Sequence, residues 1–148
     1  MRNHIEYRPM AEEDISAVIP LYINHYNVYE GGEWTEETTY KRIHQVWSHE
    51  DSMCLIALHK QRIIGFSMGH FEQYDDLIAF DLVEIVIDHD LQNQGVGTAF
   101  MLELEHRVKE AGGSMIQLQA VNDAQHEAFY SKLEYKNCNN LVLKSKFL

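Results

Sequence analysis

Gln92-Asn93-Gln94-Gly95-Val96-Gly97-Thr98 stands between a β-rich run, Leu77 to Asp88, and a run with helical apolar spacing at Phe100, Leu104, Val108 and Ala111. A strand, a two-glycine turn and a helix in that order aim free backbone N–H groups and the positive end of the helix at one spot. Such a turn can hold a phosphate without a cationic side chain, and glycine lets the backbone come close. The turn contains no Lys or Arg, which leaves the amides as the anion holders. It is not a Walker loop, which needs Gly-Lys-Ser/Thr, nor a dinucleotide fingerprint, which needs a third glycine and an early βαβ position. A helix start after a strand also uses glycine for geometry alone, so the turn by itself leaves both readings open.

Upstream of the turn, Ile5 and Tyr7 alternate with Glu6 and Arg8 as a short strand that Pro9 stops. Glu12-Glu13-Asp14 opens a helix carrying Ile15, Val18 and Ile19, which Pro20 should kink or split. Gly31-Gly32 breaks the chain, and Thr35 reads as the N-cap of a second helix with Tyr40, Ile43 and Trp47 toward the core. Met53–His59 and Ile63–Phe71, joined by Lys60-Gln61-Arg62, read as an antiparallel hairpin. Leu77–Asp88 follows as a central strand. Downstream, Gly112-Gly113 ends the helix, Ser114–Val121 is a strand, and Asp123–Leu133 is a helix with Ala124, Ala128 and Phe129 inward. Leu141-Val142-Leu143 is a last strand. The order β-α-α-β-β-β-α-β-α-β gives an α/β fold, a mixed sheet flanked by helices.

The 148 residues are 45% hydrophobic and carry a formal charge of −11. A chain of this length buries roughly two-thirds of its unfolded surface, so residues 1–148 form one domain that needs no disulfide or metal. Its acidity disfavours a nucleic-acid backbone or an anionic lipid surface as partner. No apolar run approaches the ~20 residues of a membrane span. Cys54 and Cys138 are isolated, and Met1-Arg2-Asn3-His4-Ile5-Glu6 lacks a signal pattern, which fits a reduced, cytoplasmic protein. Nine histidines show no His-x-His, His-Glu-x-x-His or Cys/His cluster, so no metal is expected. Between Ile63 and His106 nine acidic residues stand with no Lys or Arg. That stretch is either a solvated face or a site attracting a cation.

Beyond the turn come Asn122, then Ala128-Phe129-Tyr130 and Leu133-Glu134-Tyr135. The combination resembles the GNAT superfamily of acyl-CoA-dependent N-acetyltransferases. Its pattern is Gln/Arg-x-x-Gly-x-Gly/Ala after the fourth strand, then Asn and a Tyr-bearing helix ending in Leu-Gly-Phe/Tyr. Gln92, Gly95 and Gly97 match the first part; Asn122, Tyr130, Leu133 and Tyr135 match the second. Two departures are visible: Asn93 and Gln94 stand where a basic residue or glycine is common, and Glu134 replaces the usual glycine.

The resemblance implies a mostly antiparallel GNAT-like sheet and acetyl-CoA as co-substrate. Its pantetheine arm would lie along Ile85-Val86-Ile87 where the fourth and fifth strands part. The pyrophosphate would sit on Gln94-Gly95-Val96-Gly97-Thr98, with Gln92, Asn93, Asn122 and Tyr130 completing the cofactor site. Lys132, Lys136 and Lys109 are candidates for the 3′-phosphate. The implied reaction moves an acetyl group to a primary amine, with Tyr130 as the acid beside the thiolate. An ammonium acceptor must first lose a proton, and Asp81, Glu84 or a water chain could take it. Alternation along a regular strand puts Asp81, with Val83 and Ile85, on the face opposite Glu84. Tyr26, Trp34, Tyr74 and Asp81 are candidate acceptor contacts, within a wall that also includes Tyr22, Tyr29, Asp75 and Asp76. Rings and carboxylates together suit a small cationic amine such as a polyamine, aminoglycoside or amino-sugar. The rival readings are a protein Lys or N-terminal acetyltransferase, and a catalytically silent acyl-CoA-binding module. A homodimer through an exposed sheet edge is a further expectation.

Overall fold

A computed structural model describes residues 4–148; Met1, Arg2 and Asn3, which begin the stretch read above for a signal pattern, lie outside the described residues. The five strands are β1 (Ile5–Pro9), β2 (Leu55–His59), β3 (Arg62–Gln73), β4 (Ile78–Ile87) and β5 (Met115–Leu118). They lie in the sheet in chain order, three antiparallel pairs followed by a parallel β4–β5 pair. A parallel pair needs a crossover, and α3 (Val96–Glu110) supplies it. The remaining helices are α1 (Asp14–Ile23), α2 (Glu36–Trp47) and α4 (Ala124–Lys132). No helix among the described residues is long and apolar enough to cross a membrane.

The sheet separates two apolar layers. On one side Ile15, Val18 and Tyr22 of α1 and Ile43 and Val46 of α2 pack on Ile56, Phe66, Met68 and Val86. On the other, Phe100, Met101, Leu104 and Val108 of α3 pack on Leu55, Ala57, Ile64, Phe80 and Leu82. Polar contacts pin the helices to the sheet. Arg8 of β1 makes a bidentate pair with Asp14 of α1, at 2.6 and 3.0 Å, and Arg107 of α3 donates to the Tyr7 carbonyl at 3.0 Å. The Arg8 guanidinium holds the Asp14 carboxyl below its ordinary range.

Local chemistry accounts for most boundaries. Thr35 caps α2, accepting from the Thr38 N–H at 3.1 Å while the Thr38 hydroxyl accepts from the Thr35 N–H at 2.9 Å. Lys60 and Gln61 both take positive φ, the signature of the two-residue turn that matches hairpin twist. Pro20 does not split the first helix. α1 runs through it, and the chain continues from Asn24 to Tyr29 as a wider π-helical turn.

Other expectations are corrected. Tyr40 is exposed, and Thr39 takes the buried place beside Ile43 and Val46. Ala111 lies past the last buried turn of α3 and is exposed. Ala124 and Ala128 are also exposed, because only the Phe129 and Tyr130 side of α4 meets the core. β5 is four residues long, and Leu141-Val142-Leu143 forms no strand, each side chain lying exposed. A strand exists only where another backbone takes its hydrogen bonds, and no described strand pairs with that segment.

The end of α4 explains the Glu134 departure. Glu134 has φ +69°; its N–H donates to the Ser131 carbonyl at 3.0 Å, and the Tyr135 N–H donates to the Tyr130 carbonyl at 3.0 Å. These two bonds are the Schellman closure, whose left-handed position favours glycine. Glutamate there strains its Cβ by about 1 kcal/mol. Glu134→Gly should therefore raise the melting temperature by about 2–4 °C; an unchanged or lower value in thermal denaturation would count against strain at this turn.

Candidate active site

β4 departs from regular alternation at its centre. Met68 of β3 pairs with Glu84 and Gly69 with Leu82, so Val83 is an extra residue, a β-bulge. A Cβ on Gly69 would overlap the Asp81 carbonyl and the Phe80 ring, so the sheet tolerates only glycine there. The bulge reverses the parity of the strand. Phe80 and Leu82 before it, and Ile85 and Ile87 after it, face α3, while Val86 faces α1 and α2. Asp81 pairs with His70 and Glu84 with Met68, two positions apart on β3, so both carboxylates share the α1/α2 face. The expectation of opposite faces, with Ile85 beside Asp81, is thereby corrected.

Glu84 is mostly buried, its side chain 14% exposed, beneath aromatics from α1, the π-helical turn and the loop before α2. Tyr22 lies tilted at 4.5 Å from Tyr26 and edge-on at 5.1 Å from Trp34. Asn27 locks the loop by donating to the Trp34 carbonyl at 2.7 Å and accepting from its N–H at 2.9 Å. Arg42 of α2 lies 3.7 Å from Glu84 Oε1, while Glu84 Oε2 is buried with no hydrogen-bond partner among the described residues. Burial pushes the Glu84 carboxyl above its ordinary range, against the opposing pull of the Tyr26 and Tyr22 phenols and Arg42. The same burial, with the Glu84 charge, raises the Tyr22 and Tyr26 phenols. Asp81 is more open, its side chain 38% exposed and 3.9 Å from His70 Nε2.

β4 pairs with β5 only from Ala79 to Leu82, yet continues to Ile87. Beyond Leu82 its other edge stays on β3 as far as Ile87, so only the β5-facing backbone edge of Val83–Ile87 is left without a strand. A turn of 3₁₀ helix, His89–Leu91, then leads into the glycine turn. The Asp90 N–H donates to Asp88 Oδ1 at 3.0 Å, and Arg62 pairs with Asp88. Asn93 and Gly95 take φ +64° and +79°, and Gly95 is the N-cap of α3 with no side-chain cap on the helix. The first amides of α3 therefore have no side-chain acceptor. Uncapped helix-start amides of this kind can hold an anion. Gly97 has a packing reason as well, since a Cβ there would stand 3.3 Å from the Phe129 ring of α4.

The structure brings some candidates together and separates others. Tyr26 and Trp34 both pack against Tyr22, and the Tyr22 and Tyr26 phenols lie by Glu84; Tyr29 stacks on His89, tying the π-helical turn to the segment before the glycine loop. Tyr130 lies half-buried against the α3 layer, its phenol raised by burial and then by the Glu84 charge. Asn122 and Tyr130 also line a groove of about 970 Å³ beside β5 and α4. Tyr74 stands beyond the opposite end of β4, its hydroxyl accepting from Gln117 Nε2 at 3.0 Å. Gln117 pairs with Asp81 in the β4–β5 ladder, so the Tyr74 hydroxyl comes to the level of Asp81 on the sheet. Lys109 is at the far end of α3, about 18 Å of helical rise from Gly97. Arg42 escaped the sequence reading because nothing local distinguishes it from a solvated helix charge.

Residues 19–135 match the Acetyltransferase (GNAT) family. The chain belongs to this family. GNAT proteins use acetyl-CoA, and the free edge of β4 with the uncapped amides of α3 is a fitting place for it. Solved structures share the fold across nearly the whole chain. A GNAT family acetyltransferase of Staphylococcus aureus superposes with TM-score 0.75 at 18% identity, covering 97% of this chain and 99% of that one. An aminoglycoside acetyltransferase from an uncultured soil metagenomic sample, in complex with sisomicin, gives 0.73 at 16%, covering 99% and 97%. A predicted acetyltransferase with acetyl-CoA from Clostridium acetobutylicum gives 0.75 at 15%, covering 95% and 96%. No curated protein sequence matches this GNAT chain.

The raised Glu84 carboxyl makes a stability prediction. Above the ordinary glutamate range the unfolded chain gives up this proton more readily than the folded one, so ionisation destabilises the fold. Glu84→Gln should melt higher than the parent at neutral pH. The gain should shrink as pH falls through the raised value and vanish below the ordinary one. A variant that melts lower at neutral pH would mean that the Arg42 pairing outweighs desolvation.

Proposed function

We propose that this GNAT protein transfers the acetyl group of acetyl-CoA to the primary amine of a small cationic acceptor. The observation that carries the reading is the mostly buried, incompletely paired Glu84, lined by Tyr22 and Tyr26 with Trp34 edge-on to Tyr22, and set on the half of β4 that has left β5. Acetyl-CoA, when bound, brings the acyl thioester. Ile85, Val86 and Ile87 offer backbone groups to the pantetheine arm, and the amides from Gln94 to Thr98 hold the pyrophosphate, with Gln92, Asn93 and Asn122 bordering the cofactor.

An ammonium group entering the aromatic wall is attracted by ring faces and by the Glu84 carboxylate. Glu84 is the base that takes its proton, directly or through one water. A carboxyl raised above its ordinary value suits that task better than an unshifted one. Tyr130, whose phenol keeps its proton, donates it or a hydrogen bond to the departing sulfur. Asp81, open to solvent and beside His70, is assigned no catalytic role in this reading. The soil aminoglycoside acetyltransferase supports a polyamine, aminoglycoside or amino-sugar as the acceptor class, and the acidic surface supports a cation generally.

Thermal shift with acetyl-CoA, CoA, ATP and NAD tests the cofactor. At about a hundred times Kd the two CoA compounds should stabilise the fold by ~2.7 kcal/mol, and ATP and NAD should not; no shift with either CoA compound overturns the reading. A panel of free amines and Lys- or N-terminal peptides, followed by thiol release, then separates small-molecule from protein acceptors. Tyr130→Phe should lower kcat about 10 to 10³-fold. Glu84→Gln should lower kcat and abolish the acidic limb of the kcat/KM profile; if that limb survives, a water chain or Asp81 takes the proton.

A further inference from the structure

Three potential metal ligands distant in sequence meet at the edge of the α1/α2 face. His49 follows α2, while His70 and Glu72 lie two apart on β3 and so share a face. One ligand atom from each of the three falls within 4.8 Å of the others. The two imidazoles stack at 3.9 Å with their planes 14° apart. His49 Nδ1 is 2.7 Å from the Glu50 carbonyl. A carbonyl oxygen can only accept, so Nδ1 carries the proton and Nε2 is left for a ligand.

His70 presents the unusual feature. Its Nδ1 lies 3.2 Å from Glu72 Oε1, yet the pair has no hydrogen-bond geometry, and Nδ1 is buried with no hydrogen-bond partner among the described residues. Its Nε2 faces Asp81 Oδ2 at 3.9 Å. Proteins orient a metal-binding histidine by a hydrogen bond from its other ring N–H to a carboxylate; at 3.9 Å Asp81 makes no such bond here, but it is the carboxylate placed beside that nitrogen.

We propose that His49 Nε2, His70 Nδ1 and a Glu72 carboxylate oxygen bind one late first-row divalent cation, zinc best of all, with Asp81 positioning His70. Two imidazoles and a carboxylate suit zinc, and three protein ligands leave a coordination position open for water. Two ligands on a zinc tetrahedron stand roughly 3.3 Å apart. As they stand the two rings are stacked and their nitrogens do not converge on one ion, so binding would require the exposed His49 ring to turn off the stack. The site would tie the end of α2 to β3. Local spacing concealed it, because the ligands are 21 and 2 positions apart and it takes the pairing of Ser52 with His70, with backbone bonds from Met53 to Gly69 and from Phe71 to Asp51, to bring the loop to the strand. The proposal is independent of the acetyl-transfer reading.

Titration calorimetry of the full chain, stripped with a chelator, against Zn²⁺ and Co²⁺ tests it, with the visible absorption of bound Co²⁺ as a second readout. One equivalent should bind tighter than about 10 µM, with a Co²⁺ band that Zn²⁺ displaces. His49→Ala, at an exposed position that leaves the core intact, should weaken binding at least tenfold. Asp81→Asn should weaken it about 10 to 100-fold. His106→Ala, which removes a separate exposed His–Glu pair on α3, should leave binding unchanged. Absence of one-equivalent binding, or binding that survives His49→Ala, overturns the proposal.

Discussion

β4 satisfies two demands that a regular strand could not meet together. Its first half bonds to both neighbours and anchors the sheet; its second half keeps only β3, because β5 ends at Leu118. The bulge at Val83 lies where those halves join. It turns Glu84 toward the helices and Ile85 toward α3, so a free backbone edge and a buried carboxylate come from adjacent residues. Gly69 makes this compatible with a continuous β3, since any side chain there would collide with the bulged strand.

Glu84 shows how costly that arrangement is. Burying a carboxylate disfavours its charge, and the neighbours offset only part of the penalty. Arg42 stays 3.7 Å away and Oε2 lacks a partner, so the net effect is still upward. Full pairing would make a quieter structural residue. Partial pairing leaves a carboxyl that holds its proton more firmly than an ordinary glutamate, among phenols that are raised as well. The π-helical turn after α1 belongs to the same arrangement: it carries Tyr26 to Glu84 and Tyr29 to His89, joining the wall to the glycine turn.

Much of this was legible in residue patterns. Thr35 declared its cap, Lys60-Gln61-Arg62 declared a hairpin, and Gly95 declared a turn into a helix, because each depends on bonds made within a few residues. The GNAT resemblance rested on the same kind of local chemistry, Gln92, Gly95 and Gly97 followed by the Tyr130–Tyr135 segment. The errors fell where a residue's environment depends on a distant element. Leu141-Val142-Leu143 has strand composition without a strand to pair with. Ala124 and Ala128 have inward spacing on a helix covered along one side only.

The sequence by itself determined the order of elements, the turns and caps, the glycine turn before α3 and the family. These follow from hydrophobic period, backbone φ preferences and short hydrogen-bonded motifs, all local properties. Tertiary structure alone decided that Asp81 and Glu84 share a face, that Arg42 stands over Glu84, and that His49 meets His70 and Glu72. Each depends on strand register and on which chain lies across the sheet. A single inserted residue reverses every side chain beyond it, and no local pattern announces where that residue will be accommodated.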